Sequence, residues 1–492
     1  MADQDKGITA RHDDYSAWYL DVIREGDLVD EAPVRGCKVL KPHGFAIWEA
    51  IKGDLDQRFK DTGHVNAYFP LFIPMSFLSR EADHVEGFAK ECALVTHHRL
   101  RSAEGGGVEP DPASALEEPL VVRPTSETII WHMYGRWIDS WRDLPLLINQ
   151  WANVVRWEMK TRPFLRTAEF LWQEGHTAHA TREEALAETE QMLDVYASFC
   201  EETLAVPVVR GIKSARERFA GADETFTIEA MMQNGWALQS GTSHFLGQNF
   251  AKAFDVTFQD KEGNRDYVWA TSWGVSTRLV GALVMSHSDD AGLVLPPKVA
   301  PVQVVIIPVG KNKDLPAVIE AANELFLQLK PHFRVKVDDR DNLRPGAKYF
   351  EWERKGVPLR LELGPRDLKK GQAFAKLRTG GDKFGVPLEG AVDAVREVLD
   401  TMQADLLAAA TERLAAHTYT VGSRAEFAEK LESQPGFYKI PWGGDDADED
   451  QVKADTRATL RCYPLEQAPV EGLTCPLTGK PAQRWAIFAR AY

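Results

Sequence analysis

The spacing of apolar positions along the chain predicts helices at the start, followed by a strand. Apolar side chains recur at helical spacing in residues 13–24, where Trp18 and Val22 would share one face. A second helix is predicted over residues 44–60, and a strand over residues 65–69 ends at a proline. Taken alone, a helix, a strand and a proline in this order are best explained by packing or by a dimer edge.

Two runs rich in β-branched and aromatic residues, 146–158 and 168–176, predict an antiparallel hairpin around a short basic connection that contains Pro163. Because side chains alternate between faces along a strand, Arg156 and Glu158 would share one face. On the returning strand, the residues predicted to share a face are Trp172, Glu174 and His176. Charged groups in the middle of a sheet are costly without a polar ligand, so this hairpin is the first candidate site.

The order of charges in the hairpin favours a phosphate ligand. Arg156, together with Arg166 on the far side of the connection, offers guanidinium forks that match phosphate oxygens. Glu158 would hold an ammonium group or a metal ion that bridges phosphates. On the pattern alone, however, an ion pair between the strands is the simpler explanation.

A second polar group follows a strand predicted at residues 120–123. Thr125 and Ser126 are suited to cap the next helix, which is predicted over residues 129–140. Alternatively, Glu127 in the first turn would direct its carboxylate at a cationic ligand such as an amino group.

Small and polar residues mark the strand-like region 224–258. The small residues 240–243 let a ligand approach the backbone, and Gln239 and His244 are able to hydrogen-bond it. A single histidine in such a segment is nevertheless more often a core residue.

An anion site is predicted where a strand, residues 271–278, leads into an apolar helix, residues 279–287. Arg278 lies at the beginning of that helix, where a cation is unfavourable unless it serves an anion. Arg156 and Arg278 are therefore expected to bind one polyphosphate together.

Strands and helices alternate after residues 296 and 297, both prolines, which predicts an α/β layer. Its predicted elements are strands 302–309, 333–337, 359–363 and 374–377 and helices 315–329, 345–354 and 390–414. Basic residues concentrate in this part of an acidic chain, as an RNA-binding surface requires, although a solvated charged face is the alternative. They are Arg354, Lys355, Arg360, Arg366, Lys369, Lys370, Lys376 and Arg378.

The overall composition is typical of a protein with several domains in a reducing compartment. The 492 residues are 44% hydrophobic and 27% charged, and no apolar run is long enough to cross a bilayer. The five cysteines are odd in number and scattered, and the first residues are polar, so a cytoplasmic location is expected. With a net charge of −15, a nucleic-acid partner would have to meet a local basic surface.

Together these segments resemble the class II aminoacyl-tRNA synthetases. The strand ending at Pro70 is similar to the first motif of that class, Arg156-x-Glu158 to the second, and residues 272–278 to the third. The resemblance is greatest to prolyl-tRNA synthetases of the archaeal/eukaryotic type, and it covers essentially the whole chain. The segments that carry it are RPTSE (123–127), VRWE (155–158), PFLRT (163–167), FLWQEGH (170–176), GTSH (241–244), LGQNF (246–250) and GLVLPP (292–297).

The resemblance implies an α/β (α+β) protein of three domains. Residues 1–297 would form a class II catalytic domain with an antiparallel sheet, and residues 300–415 an α/β anticodon-binding domain. Residues 417–492 would form a small α+β C-terminal domain. The editing domain of bacterial-type relatives, inserted between the second and third motifs, is expected to be absent because that span is short.

The activity implied by the resemblance is that of a ligase which activates L-proline with ATP and transfers the prolyl group to tRNA(Pro). Mg²⁺ would accompany ATP, and Arg156 and Arg278 would be catalytic. The residues implied to bind ATP are Arg156, Glu158, Arg166, Thr167, Gln239, Thr242, Ser276 and Arg278. Those implied to surround proline are Thr125, Glu127, Arg156, Trp172, Glu174, Phe219, His244 and Gly274.

Further expectations concern tRNA, metal and assembly. The residues implied to read the anticodon are Glu353, Arg360 and Arg366. Relatives often hold zinc in the C-terminal domain with four cysteines, of which this chain keeps only Cys475, so no structural zinc is expected. The family also implies a homodimer, and a role for the terminal residue, Tyr492.

Three alternatives remain at this point. A threonyl or seryl synthetase shares the fold, but the catalytic zinc ligands of the threonine enzymes are not apparent. A non-enzymatic relative would be expected to lose the motif arginines, whereas Arg156, Arg166 and Arg278 are present. A generic phosphate-binding α/β protein would not explain the second, basic domain.

Overall fold

The computed structural model describes residues 7–79, 91–158, 160–311 and 313–492. The first elements are α1 (Tyr15–Glu25), β1 (Val29–Glu31), β2 (Lys38–Leu40), α2 (Pro42–Asp61), β3 (Val65–Asn66), β4 (Phe72–Pro74), α3 (Met75–Ser79), β5 (Leu94–His97), β6 (Leu100–Ser102), β7 (Val108–Pro110), β8 (Ala115–Val122), α4 (Glu127–Trp137) and β9 (Leu146–Val155). They are followed by β10 (Glu169–His179), α5 (Arg182–Glu202), β11 (Val208–Ile212), β12 (Glu224–Met231), β13 (Ala237–Gly247), α6 (Asn249–Ala253), β14 (Thr257–Gln259), β15 (Arg265–Tyr267), β16 (Trp269–Ser276) and α7 (Arg278–His287). The last elements are β17 (Val304–Pro308), α8 (Leu315–Leu329), β18 (Val335–Val337), α9 (Pro345–Arg354), β19 (Leu359–Leu363), α10 (Pro365–Leu368), β20 (Gln372–Leu377), β21 (Gly380–Pro387), α11 (Ala391–Ala416), β22 (Thr418–Tyr419), α12 (Arg424–Ser433), β23 (Phe437–Trp442), α13 (Asp446–Thr456), β24 (Thr459–Pro464) and β25 (Arg484–Ala489).

One large sheet organises the molecule. Within the described residues it has eleven strands, in the order β22-β23-β25-β24-β11-β12-β13-β16-β10-β9-β3. β9 and β10 form the predicted antiparallel hairpin, and β16 pairs with both β10 and β13. In this register Trp172 lies beside Ser276, and Gly274 lies between Glu174 and Thr242. The strands that carry the candidate residues are therefore neighbours at the centre of one sheet.

The long helix α5 packs on one face of these strands, so every second residue of β10 faces this helix and the others point to the opposite face of the sheet. Gln173 accepts a hydrogen bond from the Tyr196 hydroxyl of α5 at 2.6 Å. Gly175 is required on this face because a Cβ there would lie 2.2 Å from the ring of Trp273. Since side chains alternate along β10, Trp172 and its neighbours two and four residues on point to the opposite face, as predicted.

A second sheet lies in the α/β part of the chain, with the strand order β18-β17-β19-β20-β21. β17 is parallel to β18 and β19, whereas β20 and β21 are antiparallel additions. The helices predicted over 315–329 and 345–354 are present with those bounds. The predicted α/β layer is thus a mixed sheet with helices packed on it.

The C-terminal strands continue the large sheet. β24 pairs with β11 through Gly211 opposite Pro464 and Ile212 opposite Tyr463. Backbone hydrogen bonds therefore connect the last part of the chain to the strands that carry the candidate residues. The sequence pattern did not predict this continuity.

Other elements differ from their predictions. The strand expected over 65–69 is confined to Val65–Asn66, and the strand-like region 224–258 contains the helix Asn249–Ala253. The polar acidic stretch 443–450 begins a helix, because Asp445 and Asp448 form a reciprocal capping box. Among the described residues, no helix combines the length and apolar character needed to cross a bilayer.

Candidate active site and anticodon-binding surface

Two adjoining cavities, called here the large and the small cavity, lie on the face of the sheet opposite α5. The large cavity has a volume of about 580 Å³ and is lined by residues of the hairpin connection and of β16. The small cavity has a volume of about 290 Å³ and is lined by β10, β13, β16 and the start of α4. The residues that line both are Arg156, Phe170, Ser276 and Arg278. The two arginines predicted to converge therefore meet where the cavities join.

Arg156 lies immediately beyond the end of β9 and is held between aromatic rings. Its guanidinium carbon lies 5.6 Å from the ring centroid of Phe170 and 5.4 Å from that of Trp172, within the range of cation–π attraction. Its Nε donates to the carbonyl of Pro124 at 3.0 Å. Burial lowers the pKa of Arg156 to about 10, Glu127 opposes this shift and Arg278 adds to it. The side chain stays charged at neutral pH and is oriented before any ligand binds.

Arg278 approaches the same junction from the beginning of α7. Its Nη1 donates to the carbonyl of Gln239 at 3.4 Å, and its backbone amide donates to the Ser276 hydroxyl at 3.2 Å. Burial lowers the pKa of Arg278, an effect that Glu229 opposes. A half-buried cation at a helix N-terminus is unfavourable unless it faces an anion, as the sequence indicated.

The large cavity brings together Glu158, Arg166 and Thr167, all predicted to bind ATP. Arg166 and Glu158 form an ion pair across the connection. The ion pair that the pattern favoured thus exists, with Arg166 as the partner of Glu158. The Arg166 side chain is 65% exposed, and so is able to turn toward a phosphate.

All eight residues implied to surround proline line the small cavity, together with Gln239 and Thr242 of the predicted ATP set. Glu127 accepts a hydrogen bond from the Thr125 hydroxyl and is buried. A buried carboxylate beside a hydroxyl suits a cationic amine, and the adjacent ring of Trp172 suits an apolar ring.

Ser126 does not cap helix α4, in contrast to the capping interpretation. Its side chain makes no capping hydrogen bond and donates instead to Glu174 at 2.5 Å. Gln150 also donates to Glu174, at 2.8 Å, and His176 lies 3.2 Å from the second carboxylate oxygen. Although burial opposes it, these partners lower the pKa of Glu174 and keep the carboxylate charged.

His244 is neutral at physiological pH. Burial lowers its pKa to about 3, and nearby His176 adds to the effect. Its Nδ1 lies 3.0 Å from the Thr225 hydroxyl, and its ring centroid lies 4.7 Å from that of Phe219. His244 and Phe219 together form an uncharged wall of the small cavity.

Sequence reasoning missed several residues that line the cavities or hold their lining residues in place. Gln150 gave no signal, because its role depends on the pairing of β9 with β10. Arg162 and Trp236 line the large cavity with Tyr492, whose ring lies 5.3 Å from the guanidinium carbon of Arg162. The terminal residue, for which only the family ending gave an expectation, therefore lies at the cavity.

A third cavity, of about 160 Å³, lies in the α/β domain and is lined by Glu353 and Arg360, with Lys376 beside them. Arg360 stacks on Tyr349, with its guanidinium carbon 4.1 Å from the ring centroid, and pairs with Glu362 at 3.0 Å. Arg366 is exposed and does not line this cavity.

Two members of the predicted basic cluster serve another purpose. Arg378 makes a bidentate ion pair with Asp289 at 2.8 and 2.6 Å, and Arg354 pairs with Glu25. Both contacts join the α/β domain to the catalytic part of the chain. The RNA-facing surface predicted from the basic cluster is therefore smaller than the sequence indicated.

In the C-terminal part, Cys475 is buried and Lys480 lies between two carboxylates. The Lys480 ammonium donates to Asp445 at 2.9 Å and to Asp448 at 2.5 Å. No group of three or more His, Cys, Asp or Glu residues suited to a metal ion occurs in the described ranges.

Family models match three successive parts of the chain. They are the tRNA synthetase class II core domain (G, H, P, S and T) over residues 110–287, the anticodon binding domain over residues 303–398, and the prolyl-tRNA synthetase C-terminal domain over residues 424–492. The matches confirm the predicted fold class.

Relatives with known names match over the full length. The proline--tRNA ligase of Porphyromonas gingivalis is 58% identical over 100% of both chains, and that of Cytophaga hutchinsonii is 55% identical over 99% of this chain and 100% of its own. The crystal structure of prolyl-tRNA synthetase from Cryptosporidium parvum, complexed with halofuginone and AMPPNP, is 41% identical, with a TM-score of 0.92, over 99% of this chain and 100% of that chain. The chain therefore belongs to the prolyl-tRNA synthetase family of class II aminoacyl-tRNA synthetases.

Proposed function

We propose that this enzyme is a proline--tRNA ligase that activates L-proline with ATP and transfers the prolyl group to the 3′-terminal adenosine of tRNA(Pro). The observation that carries the proposal is the junction of the two cavities. There Arg156 and Arg278 lie between a large cavity with several charged residues in its lining, suited to a nucleotide, and a small cavity lined by Trp172 and Glu127. The arrangement suits a phosphate on one side and a cyclic amino acid on the other.

In the first step, a carboxylate oxygen of proline attacks the α-phosphorus of ATP. A new P–O bond forms, the bond to the β-phosphate breaks, and pyrophosphate leaves. Arg156 contacts the carboxylate and the α-phosphate, and Arg278 stabilises charge on the phosphates, so that catalysis consists of alignment and charge stabilisation without a protein nucleophile. In the second step, a ribose hydroxyl of tRNA attacks the prolyl carbonyl, and AMP leaves.

The remaining ATP ligands proposed are Glu158, Arg166, Thr167, Gln239, Thr242 and Ser276. Mg²⁺ binding to proteins usually takes one or two carboxylates together with substrate phosphates, and Glu158 and Glu91 line the large cavity. These carboxylates would hold Mg²⁺, and the ion would neutralise part of the negative charge of the phosphates. The proline ligands proposed are Thr125, Glu127, Arg156, Trp172, Glu174, Phe219, His244 and Gly274.

The experiment that tests the function is ATP–pyrophosphate exchange with each amino acid in turn. Proline is expected to stimulate exchange most strongly. Alanine, which lacks two ring carbons of proline, is expected to stimulate it more weakly but not to be fully excluded, because each methylene in an apolar pocket is worth only about 1–3 kcal/mol. Stimulation by threonine or serine instead of proline would contradict the assignment and favour the related synthetases.

The anticodon-binding residues proposed are Glu353, Arg360 and Arg366. Arg360→Ala is expected to raise the KM for tRNA(Pro) about 10-fold, because a bidentate contact to guanine is worth about 1–3 kcal/mol. Exchange without tRNA should be unchanged. Arg396, a basic residue of the same domain that stacks on Phe333, provides the matched control as Arg396→Ala. An unchanged KM in Arg360→Ala would exclude this residue as a reader.

The archaeal/eukaryotic type is proposed as well, although the curated relatives compared above are bacterial. It is supported by the resemblance to the enzyme of Cryptosporidium parvum and by the continuous run of elements between β10 and β16, all of which belong to the catalytic fold. The domain division proposed is 1–297, 300–415 and 417–492. Measurable deacylation of alanyl-tRNA(Pro) by the purified enzyme would contradict the absence of an editing domain.

A homodimer is proposed on the basis of exposed apolar residues near β3. Val65 is 61% exposed, Tyr68 70% and Phe72 46%, and β3 is an edge strand of the large sheet. Sedimentation equilibrium is expected to give twice the chain mass of 55.1 kDa, and a monomer at micromolar concentration would contradict the proposal.

The C-terminal domain is proposed to hold no structural zinc, since Lys480 supplies positive charge between Asp445 and Asp448. Stoichiometric zinc in the purified protein would contradict this.

A role in charging tRNA for translation also makes the cytoplasm the proposed location.

A further inference from the structure

The C-terminal domain places a buried cation close to the ATP site. Arg461 lies on β24 and contacts Glu229 of β12, with its Nη2 3.0 Å and its Nε 3.1 Å from Glu229 Oε2. Lys213 completes the group, with its Nζ 2.7 Å from Glu229 Oε1 and 2.8 Å from the carbonyl of Arg461. Glu229 is fully buried, and Lys213 and Arg461 are 5% and 7% exposed. One carboxylate therefore has two buried cationic partners.

This group is linked to Arg278 through the next strand. Glu229 is registered opposite Gln239, whose carbonyl accepts the hydrogen bond from Arg278. The register of β12 and β13 shifts at this point, so Ser240 has no partner opposite it. Burial lowers the pKa of Arg278, Glu229 opposes this shift and Arg461 adds to it, as expected for charged groups near its guanidinium.

If Arg461 did not pair with Glu229, this carboxylate would attract the guanidinium of Arg278. Attraction between opposite charges is strong where water is excluded, and an uncompensated buried carboxylate seeks any available cation. Lys213 alone would neutralise the charge of Glu229 but would leave one carboxylate oxygen, Oε2, without the hydrogen bonds that it now accepts from Arg461.

We propose that Arg461 of the C-terminal domain is a positioning residue for the binding of ATP in the activation step. Because Arg461 pairs with Glu229, the guanidinium of Arg278 remains directed into the cavity junction. The proposal rests on the proposed function, since it takes Arg278 to be an ATP ligand. It assigns the C-terminal domain a part in the first step of the reaction, in addition to any contact with tRNA. Arg461 itself does not line either cavity and acts through Glu229 and Arg278.

The test is the KM for ATP and the KM for proline in pyrophosphate exchange. Arg461→Met is expected to raise the KM for ATP about 10-fold, the order expected for loss of one charged hydrogen bond, with the KM for proline within about twofold of the parent value. Arg461→Lys, which keeps the charge, should retain most of the affinity for ATP. Arg424→Met is the matched control, since Arg424 pairs with Asp455 on the surface of the same domain.

The double variant Arg461→Met/Glu229→Gln separates positioning from a merely structural role. Removing the anion should return the KM for ATP to within about threefold of the parent value, because Arg278 then has no competing partner. Equal increases in both KM values, or no recovery in the double variant, would overturn the proposal. If Arg461→Met does not fold, Arg461→Lys and the double variant still give the comparison. A parent enzyme without proline-dependent exchange would refute the proposed function, whereas normal exchange in Arg461→Met would refute only the role of Arg461.

Discussion

Arg156→Ala is expected to abolish proline-dependent pyrophosphate exchange, with a loss of at least about 10³-fold in kcat/KM. Removing one preorganised donor to developing charge typically costs about 10²–10³-fold in rate, and Arg156 is proposed to contact both proline and ATP. It lines both cavities and is oriented by the Pro124 carbonyl and by two aromatic rings. Alanine removes the charge and leaves the cavity junction with only one of its two arginines.

Two further variants sharpen this experiment. Arg156→Lys keeps the charge but lacks the fork that contacts two oxygens at once, so an intermediate loss is expected. Arg142→Ala removes an exposed arginine that stacks on Trp141 and lines neither cavity, and it should leave exchange unchanged. If Arg156→Ala is folded and retains exchange within tenfold of the parent, Arg156 is not the residue that joins the two substrates.

The central hairpin is the part of the site that the sequence predicted best. Its two strands are rich in β-branched and aromatic residues, which predicts strands, and the alternation of side chains between faces then determines which of them share a face. The placement of Trp172, Glu174 and His176 on one face followed from this local rule. Arg278 was also identified locally, because a cation at the beginning of a helix is an exception that needs an explanation.

Contacts between distant segments could not be predicted in this way. Arg354 and Arg378 look like RNA-binding residues in the sequence, yet their partners, Glu25 and Asp289, lie 329 and 89 residues away. Arg461 likewise meets Glu229 across 232 residues. Such pairs depend on how sheets and domains pack, and neither periodicity nor spacing reports that.

Ser126 shows how tertiary structure overrides a local preference. A serine before a helix is a favourable N-cap, worth about 1 kcal/mol in many helices. Here its hydroxyl donates to the buried Glu174, which also has Gln150 and His176 as hydrogen-bond partners. A charged group excluded from water gains more from this hydrogen bond than a neutral backbone amide at a helix end does.

The folded protein is expected to lose several kcal/mol of stability between pH 7.5 and pH 5 because three histidines, one buried and two half-buried, stay neutral. Burial lowers the pKa of His179 and of His287 to about 4, and that of His244 to about 3. Their unfolded pKa is about 6.5, so below that pH the unfolded chain binds more protons than the folded one. Stability therefore falls as pH drops below 6.5, by about 2 kcal/mol for each histidine at pH 5. His176 acts in the opposite direction, since Glu174 raises its pKa despite burial, and it offsets part of the loss.

His287→Gln tests this expectation at a site outside both cavities. His287 Nε2 lies 2.8 Å from the carbonyl of Leu204, and a glutamine amide is able to donate to the same oxygen without titrating. The urea midpoint of the variant should fall less than that of the parent between pH 7.5 and pH 5, by the equivalent of about 2 kcal/mol. His12→Gln, at a side chain that is 81% exposed, serves as the control. Equal pH dependence in His287→Gln and the parent would show that His287 takes up its proton in the folded state, and the half-buried ring would then need an anionic partner that the Leu204 carbonyl does not provide.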